Sequence, residues 1–173
     1  MDFLDDLGRL GLEHLEGASL YGDPNEKKEE NKWFPIIPFP KSQTLFGFSE
    51  NYAHIQEDRF VMIGESEKFP MALASKGIRH GLGLGGSTLN PFQANNIKSL
   101  FPKAIIVMLD EGLKEEDSIH MAEQLKMNTF YTNQVGYVYD KNGLFLPSGS
   151  KMSPTDLPLE TMKQLMHHCT TWI

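Results

Sequence analysis

The chain has 173 residues, 40% of them hydrophobic and 23% charged, a composition that supports a packed core and excludes global disorder. The formal net charge of −7 argues against duplex binding driven by the whole surface, but leaves room for local Lys/Arg clusters that hold phosphates. No apolar run approaches the roughly 20 residues needed to span a bilayer. The acidic N-terminus MDFLDD is unlike a secretory leader. The single cysteine, Cys169, can form neither an internal disulfide nor a zinc ribbon, so a cytoplasmic protein with no membrane partner is expected.

In chain order, Leu4, Leu7, Leu10, Leu12 and Leu15 have the spacing of a helix face, but Gly8 and Gly11 interrupt it and short strands fit equally well. Residues 21–25 (YGDPN) are a turn, and the polar run 26–31 is a solvated loop or hairpin tip. Residues 33–40 (WFPIIPFP) are apolar but carry three prolines, which implies an extended segment laid over a core. Ser49 is a candidate cap for a helix running to about Gln56.

From residue 60 the pattern becomes regular. Residues 60–63 read as a short buried strand ending at Gly64-Glu65, and 69–76 as a helix closed by Gly77. Residues 81–84 read as a second strand running into Gly85-Gly86, followed by a helix from Asn90-Pro91 to Leu100. Residues 104–109 (AIIVML) are the clearest strand, ending at Asp110, and 114–127 the clearest helix, with acids early and Lys126 late. Residues 130–139 supply further strands, 140–143 (DKNG) a hairpin turn, and 159–172 a closing helix with Met162, Leu165, Met166 and Trp172 as core. Strands alternating with helices at this spacing imply an α/β fold with parallel strands and crossover helices.

Ligands of open parallel sheets gather at the carboxyl ends of the strands. Glu65, the pair Gly85-Gly86 and Asp110-Glu111-Gly112 all fall there. One acid after one strand is often only a turn or helix cap. Acids at adjacent strand ends repel each other unless a cation lies between them, and hard oxygen ligands suit Mg²⁺ (or Mn²⁺). His120, His167 and His168 have no matching Cys or His cluster and read as surface or satisfied core residues. Residues 81–86 (GLGLGG) lack the acid and the lysine-serine that nucleotide-cofactor loops require.

Residues 60–110, FVMIGESEKFPMALASKGIRHGLGLGGSTLNPFQANNIKSLFPKAIIVMLD, resemble the Toprim domain of bacterial and phage DNA primases, with a glutamate after the first strand, a glycine turn after the second and Asp-x-Asp after the third. Residues 31–35 and 44–48 resemble the primase linker before Toprim, and residues 151–157 (KMSPTDL) are similar to the family's lysine-aspartate-proline-x-aspartate-leucine segment. In all, the resemblance covers roughly residues 8 to 173, with 1–48 as an N-terminal extension and linker and 49–173 as a Toprim-like, mostly parallel sheet flanked by helices.

The resemblance implies that Glu65 is the general acid/base or metal-associated glutamate, Asp110 a Mg²⁺ ligand and Asp156 a neighbour in the same acidic cluster. Gly85 and Gly86 would allow close backbone approach. Lys32 would meet template or nucleotide phosphate, or else is a solvated loop lysine. Lys68 would reach the same site, or else is an exposed lysine on the first turn of a helix. The pattern departs from the family at three places: Gly112 replaces the second aspartate, Met152 stands where an aspartate is expected, and no arginine lies near residues 17–19. Glu111 or Asp117 would have to substitute as ligand, and a DEG strand end occurs in phage-type and mobile-element primase-like proteins.

Clustered Cys or His ligands of a zinc-binding domain and a helicase-binding domain are not in the sequence, which suggests an excised catalytic-core fragment or a short stand-alone homologue. Three functions follow from the resemblance: Mg²⁺-dependent primer synthesis from nucleoside triphosphates on single-stranded DNA, cleavage by a Toprim nuclease, or a non-catalytic module binding nucleic acid or a replication protein.

Overall fold

Short apolar runs bounded by glycine become strands, and the amphipathic segments between them become crossover helices. In the computed structural model the described residues are 40–173, which form a compact unit. Lys32, the leucines of residues 4–15, the turn at 21–25, the sites near 17–19 and residues 33–39 lie outside them. Among the described residues the elements run α1 (Phe48–Asp58), β1 (Phe60–Gly64), α2 (Lys68–Ser75), β2 (Gly81–Gly83), α3 (Pro91–Ser99), β3 (Ala104–Met108), α4 (Glu115–Leu125), β4 (Gln134–Val138), α5 (Leu159–Cys169) and β5 (Thr170–Trp172), with short 3₁₀ turns at Lys41–Gln43 and Pro154–Asp156.

The five strands form one sheet in the order β2-β1-β3-β4-β5. The first three pairings are parallel and β4–β5 is antiparallel. Each parallel connection carries a helix, as crossovers between parallel strands require. Successive strand residues point to opposite faces. Val61, Ile63, Ile105 and Val107 enter one core, with Ile55 of α1, Ile97 of α3 and Leu125 of α4. Met62, Ile106 and Met108 enter the other, with Phe69 and Leu73 of α2 and Met162 and Leu165 of α5. Both faces are covered, which is why the strands read as continuous apolar runs rather than alternating ones.

Several local expectations are corrected. The first helix is capped by Gly47 in the left-handed region, not by the Ser49 side chain. Of residues 130–139 only Gln134–Val138 is a strand. Residues 140–143 make a turn, but no strand follows to complete a hairpin; Asp140 instead accepts hydrogen bonds from the amides of Leu144, Phe145 and Leu146 and begins a long loop. The closing helix stops at Cys169, and Thr170–Trp172 joins the sheet edge. Trp172 is therefore about half exposed, whereas Met162 and Leu165 are fully buried as expected. A β-branched pair, Thr170-Thr171, follows the helix and favours extended backbone once an edge is available to pair with.

Residues 40–47 belong to the same packing. Phe46 forms an antiparallel bridge with Gly83 and covers the outer edge of β2. Buried Gln93 of α3 ties this segment down: its Nε2 donates to the carbonyls of Thr44 (2.8 Å) and Leu84 (2.9 Å), and its Oε1 accepts from the Asn90 backbone amide in a capping box. Gln93→Ala leaves these carbonyls buried without a donor, and is expected to destabilise the protein by about 2–3 kcal/mol in urea unfolding while leaving the far-UV spectrum of the native state unchanged.

Candidate functional site

The register of β1 with β3, from Phe60↔Ala104 to Gly64↔Met108, decides what stands at the carboxyl end of the sheet. Glu65 is one residue past the β1 end and Asp110 two past the β3 end, so the two acids emerge from adjacent strands on the same rim. They are close enough that the charge of Asp110 raises the pKa of Glu65 above its ordinary value, after the larger effect of burial. Burial also raises the pKa of Asp110. The nearby Ser153 hydroxyl, which itself lies 3.1 Å from the Thr155 hydroxyl, works against this rise, and the charge of Asp156 adds to it. Oδ1 of Asp110 is buried with no hydrogen-bond partner. A buried carboxylate oxygen left without a donor costs free energy that a cation or proton would recover.

Glycines shape the rim. A Cβ at Gly64 would lie 2.1 Å from the Phe69 ring, which is buried, so only glycine lets α2 close over the end of β1 directly before Glu65. Gly85 has φ +73°, in the region that disfavours other residues. Gly86 donates its amide to the Glu65 carbonyl at 3.0 Å, fixing the glutamate backbone, and has open space where a Cβ would stand. Lys68 opens α2, three residues beyond Glu65, and its side chain is exposed.

The third acid arrives on a loop. Asp156 lies in the 3₁₀ turn Pro154–Asp156, exposed, with its carboxylate accepting from the Ser153 amide at 2.8 Å. Lys76, just after α2, holds this turn through the Thr155 carbonyl at 2.8 Å. Glu111 pins the approach to it: its two oxygens accept from the amides of Gly149 (3.0 Å) and Lys151 (2.9 Å), and its own amide donates to the Met152 carbonyl. Those amide donors lower its pKa. Glu111 is thus engaged with the loop, while Asp117, exposed, caps the first turn of α4 through the Lys114 amide. Gly112 has φ +98°, so an aspartate there would sit in strained backbone. Asp140, with three backbone amides on its carboxylate and a lowered pKa, anchors the other end of the loop, a role that sequence reading did not assign. An open groove of about 550 Å³, lined by Asp110, Glu111, Lys114, Tyr139, Asp140 and Lys141 among others, runs along the ends of β3 and β4.

Among the described residues no three His, Cys, Asp or Glu side chains gather closely enough to enclose a metal ion. Those residues therefore build no closed cage for a transition metal. Two carboxylates of raised pKa with an unpartnered buried oxygen fit a hard, largely hydrated cation, which keeps several waters and takes only one or two protein carboxylates. His120, His167 and His168 are exposed, and among the described residues no helix is long and apolar enough to cross a membrane.

No protein-family model matches the chain, and no curated protein matches it by sequence. Solved structures do match. A DNA primase domain from Pseudomonas aeruginosa superposes with a TM-score of 0.62 at 19% identity over 84% of this chain and 45% of its own. The Aquifex aeolicus primase, comprising zinc-binding and RNA polymerase domains, gives 0.58 at 20% identity over 82% of this chain and 36% of its own. The RNA polymerase domain of Mycobacterium tuberculosis primase DnaG in complex with double-stranded DNA gives 0.54 at 17% identity over 85% of this chain and 46% of its own. The fold is primase-like, and the chain spans less than half the length of these structures.

Two measurements follow from this geometry. With divalent ions chelated, the stability held by protonated Asp110 is complete below its unfolded pKa and lost as pH rises through the higher folded value. Asp110→Asn is therefore expected to be more stable than the parent at pH 7–8, by no more than about 1 kcal/mol once solvent screening is allowed for, with the gap closing toward pH 4. Glu111→Ala frees the loop amides, and faster hydrogen exchange at Gly149 and Lys151 is the expected signature.

Proposed function

We propose that this chain carries a Toprim-type site of the primase kind, in which Glu65 and Asp110 hold one Mg²⁺ or Mn²⁺ with Asp156 at its border, and that the site acts on nucleic-acid phosphates. The observation that carries this reading is the convergence of Glu65 and Asp110 on one rim, where burial and then the charge of Asp110 raise the pKa of Glu65, with Asp110 Oδ1 buried and unpartnered. The match in fold to primase domains, and the linker-like and KMSPTDL segments on either side of residues 60–110, support primer synthesis on single-stranded DNA from nucleoside triphosphates over the other activities of such sites.

When bound, such a cation would neutralise phosphate charge and orient the phosphates for displacement. The residues have separate tasks. Asp110, two residues past β3 with its Oδ1 buried, supplies an anionic oxygen. Glu65, whose pKa burial and the charge of Asp110 raise, is suited to accept or return a proton. Ser153 and Asp156 border Asp110, and Glu111 and Lys76 keep their turn in place. Lys68 is positioned to meet phosphate at the mouth of α2. Lys32 is assigned to the phosphate-binding side on the resemblance alone.

Gly112 favours a second reading. With no carboxylate at that position and Glu111 engaged by the loop, the donors suit one cation rather than a pair, which fits a module that binds phosphate without turnover. Replication proteins remain the proposed partners in either case.

Titration with Mn²⁺, followed by the electron-paramagnetic signal of the free ion, is expected to show one site that Glu65→Gln and Asp110→Asn each weaken at least about tenfold, roughly the loss of one charged ligand. Binding indifferent to both changes overturns the site. Primer synthesis and strand cleavage, assayed on the same single-stranded DNA, then separate the polymerase, nuclease and non-catalytic readings.

A further inference from the structure

The end of the sheet opposite the carboxylates has a different character. Parallel strands β1, β3 and β4 begin there, and helices α1, α3 and α4 end there, so Arg59, Lys98, Lys103 and Lys126 collect on one rim. Backbone hydrogen bonds string it together: the Lys103 amide donates to the Arg59 carbonyl, and the Gln134 amide to the Lys103 carbonyl. Buried Asn133 joins in, accepting from the Met127 amide and donating to the Leu125 carbonyl. Among the described residues none of the four cations is in an ion pair. Among the described residues the acids near this rim include Glu57, Asp58 and Glu123, and Asp58 is taken up by His80 at 2.7 Å. A chain of net charge −7 thus keeps unpaired cations at one end and its clustered carboxylates at the other.

Aromatic rings stand among these cations. Phe101 is half exposed and has φ +50°, a conformation that is a genuine outlier for a bulky residue. Its turn is nonetheless held firmly: the Leu100 carbonyl accepts from Gln56 (3.0 Å) and Arg59 (3.4 Å), and the Phe101 carbonyl accepts from the Tyr131 hydroxyl at 2.7 Å. The Phe101 and Tyr131 rings meet edge to face, with centroids 5.6 Å apart. Next to Tyr131, Phe130 is fully exposed at the tip of a turn closed by the Asn128↔Thr132 bridge. Backbone strain at Phe101 and exposed apolar rings both act against stability, and the strained turn is sustained by hydrogen bonds to the Leu100 and Phe101 carbonyls. Exposed rings next to unpaired cations are the combination that stacks bases and tracks a phosphate backbone.

We infer that Phe101, Phe130 and Tyr131, with Arg59, Lys103 and Lys126 around them, form a stacking surface for single-stranded nucleic acid at the end of the sheet remote from Glu65 and Asp110. A polyanion approaching the carboxylate rim is repelled unless a cation is present, whereas this rim attracts it without one. The surface is therefore independent of the cation site and holds a strand while that site is empty or engaged elsewhere.

The test is fluorescence anisotropy of a fluorescein-labelled oligothymidylate at low salt in EDTA, which removes the cation site from the measurement. Phe101→Gly suits the left-handed backbone and Phe130→Ser changes only an exposed ring, so both variants fold; thermal unfolding checks this. Together they are expected to weaken binding about tenfold or more. Lys103→Gln and Lys126→Gln should each flatten the salt dependence by about 0.7 in the log–log slope. Glu65→Gln and Asp110→Asn should bind as the parent does. No binding by the parent, or binding indifferent to the aromatic changes, overturns the inference. So does markedly tighter binding by Asp110→Asn, which would put the strand at the carboxylate end, where removing a charge relieves its repulsion. A dimer in sedimentation that Phe130→Ser dissolves overturns it as well, by assigning the rings to a second copy of the chain.

Discussion

Parallel strand pairing organises this molecule. The parallel pairing of β1 with β3 runs through five residue pairs, and its register leaves Glu65 and Asp110 nowhere to go but the same rim. A one-residue slip would exchange the two cores, moving Met62 into the side occupied by Val61 and Ile63 and reversing every strand side chain. The burial of those side chains, each contributing about 1.5–3 kcal/mol, therefore holds two like charges together. Burial raises the pKa of both acids, the charge of Asp110 adds to the rise at Glu65, and Asp110 keeps an orphan oxygen.

Around this pair, other carboxylates have the opposite fate. Glu111 and Asp140 are satisfied by backbone amides of the long loop between β4 and α5, and their pKa values fall. They act as anchors for a loop that has no regular structure of its own beyond a 3₁₀ turn. Neighbouring acids at one strand end thus divide by environment: Asp110 lacks donors on a buried oxygen, and Glu111 has an amide on each. Residue type alone assigns both to a metal; hydrogen bonding separates them.

The same parallel topology that gathers acids at strand ends gathers cations at helix ends on the far side. Lys98 and Lys126 lie in or just after the last turns of α3 and α4, where the helix dipole favours positive charge. Local helix stabilisation and long-range polarity of the molecule are in this way one arrangement. On the proposed reading, the carboxylate end takes a hydrated cation with phosphate, and the basic aromatic end takes phosphate without one.

The sequence by itself determined the α/β class, the parallel strands and the candidate pair of acids. Apolar runs of strand length, the Asn90-Pro91 helix start, and glycines at strand ends are local signals, each interpretable within a few residues. It could not determine where the last helix stops, because Thr170–Trp172 becomes a strand only by pairing antiparallel with β4, a partner more than thirty residues away. Nor could it reveal that Asp140 ties down a loop, that Lys76 holds the Asp156 turn, or that Phe101 and Tyr131 share one rim. Hydrogen bonds and ring contacts between residues distant in the chain carry no periodicity. Only the packed structure, which fixes which distant groups come within about 3 Å of each other, decides them.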